Sequence, residues 1–200
     1  TYTAAEIKQM RLCNCDLIET FLPVNTFDEV LEHLKGKCKM NLDRSIGIIE
    51  PVMKMVRRHG MEDQILMKSD PSEQSLKLIE AYAPDIDYMP IFMEEDHASE
   101  KIEKMKIHYA GAELVFKTEQ SPIVQEAYLE EQKKKGRVLW GNAILYSSRV
   151  PLAGGHSDDI SLLEDPAQGW GWLAQKGFDI IQTDWAMHCV NYLRENNYRK

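Results

Sequence analysis

The 200 residues are 44% hydrophobic and 28% charged, enough chain for one domain spanning residues 1–200 with a real core. Acids outnumber bases, 32 against 24, for a formal net charge of −8, which argues against non-specific nucleic-acid binding because that needs a basic footprint. No apolar run is long enough to span a bilayer, and the opening residues lack the basic start and apolar core of a signal peptide. A cytoplasmic protein and an exported protein freed of its signal both fit.

Thr3 and Glu6 have the spacing of a capping box, so a helix is predicted over about residues 4–12, followed by an irregular stretch from Cys13 to Pro23. Cys13 and Cys15 lack the second spaced pair of a zinc site and read as unpaired, partly buried thiols, while Cys38 and Cys189 lie in apolar segments and read as core. Thr26 and Glu29 open a second helix that stops at Gly36. From there a unit of short apolar strand, turn and amphipathic helix repeats six times. Strands are predicted at residues 37–43, 64–68, 87–92, 112–117, 137–142 and 178–183. Helices are predicted at 48–58, 73–82, 95–109, 123–134 and 187–195, with helical stretches after Ser157 and around 170–176. Pro90 suggests an end or an irregularity in the third strand. A longer loop runs through residues 147–155.

Strand starts about 25 residues apart, alternating with helices, are the signature of a parallel sheet. Right-handed crossovers then place all strand C-termini on one face, where α/β folds collect their chemistry. That face gathers Asp43, Lys68, Phe92, Lys117, Asn142 and Asp184. Asp43 offers a carboxylate for a hard cation or a local cap beside Arg44. Lys68 and Lys117 are candidate phosphate contacts or solvated surface. Trp140 reads as an aromatic wall or a core residue, Asn142 as an amide donor, and Asp184 as a site residue or the cap of the last helix. His156, between Gly154-Gly155 and Ser157, is the one histidine in a loop able to reach the mouth; a plain loop residue is the alternative.

Gly177-Phe-Asp-Ile-Ile-Gln-Thr-Asp-Trp185, followed by Val190-Asn-Tyr-Leu193, resembles the final strand and helix of the glycerophosphodiester phosphodiesterase family. Leu139-Trp-Gly-Asn142 resembles its seventh-strand motif. Pro23 to Leu31 with Gly36 to Asp43 resembles its helix leading into a strand ending Asn-x-Glu, and Thr3 to Ile7 the end of its insertion. The resemblance implies a (β/α)8 TIM-type barrel of which about six β/α units are present. It also implies divalent-metal-dependent hydrolysis (Mg2+ or Ca2+) of glycerophosphodiesters to glycerol 3-phosphate and an alcohol. Asp43 matches the metal-binding acid of the third strand, with Asp for Glu, and Trp140 an aromatic residue of the substrate pocket. The family's lysine falls at Ser45, with Arg44 as a substitute charge out of register.

The family's His-Arg-Gly and Glu-x-Asp motifs and its second histidine do not occur here, so no catalytic residue is assigned in this chain. The sequence reads as the C-terminal portion of such an enzyme, the partner being a small phosphodiester, with Arg44, Lys68, Lys117, Trp140, Asn142 and Asp184 as binding candidates. A barrel kept for binding phosphate or polyol ligands without catalysis is the alternative. An open barrel with two free strand edges is also expected to self-associate.

Overall fold

The computed structural model describes residues 2–14, 16–145 and 150–198. The chain opens with helix α1 (Ala4–Gln9), capped by a complete Thr3/Glu6 box. Strands β1 (Arg11–Cys13) and β2 (Glu19–Pro23) then form an antiparallel hairpin where an irregular stretch was expected. Asn14 makes the turn: its side-chain carbonyl accepts from the Asp16 and Ile18 N–H groups, a local device typical of Asn in tight turns. Among the described residues of the Cys-x-Cys pair, Cys13 is exposed; Cys15 lies outside them, as does the loop stretch 146–149.

Helix α2 (Phe27–Leu34) follows, with its Thr26/Glu29 capping box intact. Six parallel strands come next: β3 (Met40–Leu42), β4 (Ile65–Ser69), β5 (Asp87–Met93), β6 (Gly111–Val115), β7 (Val138–Asn142) and β8 (Ile180–Gln182), hydrogen-bonded in that order. Helices α3 (Ile49–His59), α4 (Glu73–Tyr82), α5 (Ser99–Ile102), α6 (Glu126–Lys134), α7 (Asp158–Leu163), α8 (Trp172–Lys176) and α9 (Ala186–Glu195) fill the connections. Gly60 ends α3 in the left-handed conformation (φ 60°) that side chains resist. A π-helical turn, Ala167–Gly171, leads into α8.

Every residue of β4 and β6 is buried, as expected of parallel strands covered on both faces. One set of side chains faces the helices: Leu31, Val56, Met67, Leu76, Tyr88, Leu114, Leu139 and Leu173 belong to one core. The other set faces inward across a curled sheet. Curvature follows from a single contact. The Lys68 ammonium of β4 sits 3.7 Å from the centre of the Trp140 ring of β7, three strands away, where a flat sheet would separate them by roughly 14 Å. The sheet is an open run of six β/α units of a (β/α)8-type barrel, with β3 and β8 at its edges.

Two details set the register. A Cβ on Gly111 would lie 2.1 Å from the Val138 carbonyl oxygen, so only glycine lets β6 approach β7 there. Tyr88 lies opposite Tyr109 but Ile91 opposite Glu113, a one-residue slip across Pro90. Proline is accommodated at such a bulge because it has no N–H to give to the ladder.

Two expectations need correction. The surface helix over 95–109 is only the short α5, because Asp96 accepts from the Ala98 and Ser99 N–H groups and starts the helix late. The chain must then return to pair with β5 through His108 and Ala110. Cys38 is exposed rather than core, since the edge strand β3 begins only at Met40; Cys189 is buried. Among the described residues no helix is long and apolar enough to cross a membrane.

Candidate functional site

The C-terminal ends of the strands enclose a cavity of about 300 Å3 lined by Asn41, Asp43, Lys68, Glu113, Asn142 and Gln182 on its polar side and by Ile91, Met93, Val115 and Leu152 on the other. Its centre is one carboxylate. Glu113 Oε2 accepts from Lys68 Nζ at 2.6 Å and Glu113 Oε1 accepts from Asn142 Nδ2 at 2.9 Å. All three residues are buried, Asn142 being 2% exposed. Three strands therefore deliver side chains to one point, at positions fixed by the register Glu113 opposite Trp140 and Leu114 opposite Gly141.

Trp140 acts from below this cluster. Its ring carries the Lys68 ammonium, and its indole N–H donates to Gln182 Oε1 at 3.2 Å. A desolvated cation on an indole face is worth ~2 kcal/mol. The ring itself lines a second, apolar cavity of about 420 Å3 in the barrel interior, with Leu66, Met89, Val138 and Ile180. Trp140 thus touches the polar cavity through Lys68 rather than forming its wall.

The remaining sequence candidates separate. Asp43 lines the rim of the cavity with its side chain 66% exposed. Arg44, at positive φ (51°), is exposed and lies 3.8 Å from Asp43; it does not line the cavity. Lys117 is an exposed residue beyond β6, its backbone N–H held by Glu94. Asp184 is exposed, and α9 begins without a side-chain cap. His156 is stacked on Trp172 with centroids 3.7 Å apart and bonded to Glu119 and the Gln168 carbonyl. These contacts make it a packing residue of the β7–α7 connection, and it does not line the cavity.

Sequence reasoning missed Glu113 and Gln182. A lone acid inside the buried strand Gly111-Ala-Glu-Leu-Val115, and a lone amide closing the half-buried Ile180-Ile-Gln182, were the signals: a buried polar group needs a partner.

The cavity holds one cation and two carboxylates, so it offers no net attraction for an anion by itself. Its strength is in hydrogen bonding: three primary amides, an ammonium and two carboxylates line a small space, which suits hydroxyl groups. It is not a complete metal site. Both Glu113 oxygens are engaged, leaving Asp43 as the one carboxylate there without a buried partner, and among the described residues no group of three His, Cys, Asp or Glu is placed to hold a metal. Larger clefts lie outside the barrel, one of about 480 Å3 around Asp96 and Tyr128 and one of about 530 Å3 beside α9. Neither collects side chains from several strand ends, so neither is preferred.

Comparison with known proteins agrees with this architecture. A family model described as a domain of unknown function matches residues 88–193, from within β5 to α9, just over half of the chain. The chain belongs to that family. No curated protein matches. Among solved structures, a glycerophosphoryl diester phosphodiesterase from Parabacteroides distasonis superposes with a TM-score of 0.76 at 17% identity, covering 98% of this chain and 64% of that one. A second glycerophosphodiester phosphodiesterase from the same organism gives 0.63 at 14% identity, over 98% and 73%. A candidate glycerophosphodiester phosphodiesterase from Galdieria sulphuraria gives 0.66 at 13%, over 97% and 71%. The fold is that of the glycerophosphodiester phosphodiesterases, and this chain spans just under two thirds of the length of the first of these.

Proposed function

We propose that the cavity binds the glycerol moiety of a glycerophosphodiester, and that the protein hydrolyses such diesters to glycerol 3-phosphate and an alcohol. The observation that carries this is the convergence of Lys68, Glu113 and Asn142 from three strands on one buried point at the end of the barrel where this architecture places its chemistry. Glu113 accepts from a glycerol hydroxyl, Asn142 and Gln182 complete its hydrogen bonds, and Lys68 offers a further N–H.

Phosphoryl charge needs positive groups beyond this cluster, because Glu113 already neutralises Lys68. Arg44 and Lys117, at the same end of the barrel, are the sequence's nearest candidates. In this reading the hydrolysis depends on a divalent metal, Mg2+ or Ca2+. Asp43 is one ligand, and the others come from outside the cluster described here.

Release of glycerol 3-phosphate from glycerophosphoethanolamine by the full-length protein, with Mg2+ or Ca2+ and with an EDTA control, tests the reading. Turnover abolished by EDTA supports it, and its absence from a folded sample overturns it. A second reading, a barrel that binds polyols or phosphates without hydrolysis, is favoured by the incomplete donor set for a metal. It predicts binding of glycerol 3-phosphate with no turnover.

A further inference from the structure

Asp158 was not singled out by its sequence context, which reads as the first turn of a capped helix. The structure gives it a different place. The residue is 4% exposed and its carboxyl group accepts three hydrogen bonds: from the Trp170 indole at 2.7 Å, from the Thr183 hydroxyl at 2.6 Å and from the Asp184 backbone N–H at 2.9 Å. None of these partners is a cation. A carboxyl group this buried needs its hydrogen-bond donors held in place.

The backbone of the same residue completes the arrangement. The Asp158 N–H donates to the Ala143 carbonyl, and the Ala143 N–H donates to the Gln182 carbonyl. One residue therefore ties together the end of β7, the end of β8 and the π-helical turn that carries Trp170. The sheet ladder itself stops at Asn142 opposite Gln182, so Asp158 holds the two strand tips together beyond their last ladder pair.

A short chain of contacts leads from there to the cavity. Thr183 follows Gln182, Gln182 holds the Trp140 indole, and the Trp140 face carries Lys68, which is bonded to Glu113. Neither Asp158 nor Thr183 lines the cavity. We infer that Asp158 is a positioning residue, fixing the tip of β8 so that Gln182 and Trp140 hold Lys68 and Glu113 in ligand-binding geometry. The inference rests on the cavity being the glycerol site.

The chemistry offers a selective test. Asp158→Asn keeps the shape but replaces an acceptor oxygen with an N–H₂ that must face one of the three donors. Thr183→Val removes one donor and keeps the volume, and Thr183→Ser restores the hydroxyl. In the full-length protein, calorimetric titration with glycerol 3-phosphate is compared with melting temperature for each. We expect Asp158→Asn and Thr183→Val to weaken binding by about tenfold or more, with Thr183→Ser within about twofold of the parent. Faster hydrogen exchange at the Asp184 amide should accompany the loss in Asp158→Asn. Lower melting temperatures with unchanged affinity in Asp158→Asn and Thr183→Val would reduce Asp158 to a scaffold residue and overturn the inference. Should Asp158→Asn not fold, the Val and Ser pair at position 183 decides. Failure of the parent protein to bind glycerol 3-phosphate would instead remove the glycerol site itself, and the inference with it.

Discussion

The centre of the barrel mouth and its rim are built from different materials. Lys68, Glu113 and Asn142 lie within strands β4, β6 and β7, buried, with positions set by ladder register and hydrogen bonds that join all three. Asp43, Arg44, Lys117 and Asp184 follow strands or begin loops, and all are exposed. At the centre a side chain's role is fixed by its neighbours, because a buried charge or amide without a partner is costly. At the rim the same residue types are free to face water, and a ligand competes with solvent for them. Substitutions at the two levels should therefore differ in kind: central ones should change stability and binding together, rim ones binding alone or nothing.

The largest effect is expected from Glu113→Leu. It leaves the Lys68 ammonium buried with only the Trp140 face, and breaking a buried pair from one side costs ~3–5 kcal/mol. Denaturant unfolding should show a loss of that size. A loss below about 1 kcal/mol would mean that the pair is solvated and the centre no different from the rim, since exposed pairs are worth ~0–1 kcal/mol.

Asp43→Ala tests the rim. It should leave the unfolding midpoint unchanged and weaken divalent-cation binding by the full-length protein, read by calorimetry; an unchanged cation affinity removes Asp43 from the site. Lys117→Ala sharpens the division further, separating a phosphate contact from a surface lysine. As a proposed phosphate contact its loss should weaken glycerol 3-phosphate binding by about fivefold, read by calorimetry, whereas affinity within about twofold of the parent would make it a surface lysine.

The smallest effect concerns acid. Arg57 forms paired hydrogen bonds to Asp85, at 2.8 and 2.6 Å, and these hold the Asp85 carboxyl below the usual carboxylate range against a weaker opposing effect of burial. A depressed folded-state value means that this contribution is present above about pH 4 and lost as pH falls below it. The pair is largely exposed, so Arg57→Ala should cost under ~1 kcal/mol near neutrality. The difference from the parent should shrink toward pH 3 in paired melts.

The six-strand repeat was legible because each strand is an apolar run bounded by capping and glycine signals, such as Thr26 with Glu29 and Gly60 after α3. Three of the central or near-central residues, Lys68, Trp140 and Asn142, could be named from strand periodicity alone. Their roles could not, since the meeting of β4 with β7 depends on curvature that no local pattern encodes. Glu113 was hidden because strand ends attracted attention and Glu113 lies mid-strand. The hairpin over residues 11–23 was missed because its turn rests on one Asn side chain and its strands bury nothing. The overlong helix at 95–109 shows the reverse: periodic apolar residues at 102, 105 and 107 gave way to the return path required by the pairing of Tyr88 with Tyr109.

The most direct test of the centre as a ligand site is a crystal structure of the full-length protein with glycerol 3-phosphate bound. The account predicts glycerol oxygens within hydrogen-bonding distance of Glu113 or Asn142, next to the Lys68 ammonium on Trp140. Glycerol 3-phosphate bound elsewhere, with the Lys68–Glu113–Asn142 cluster untouched, would contradict it.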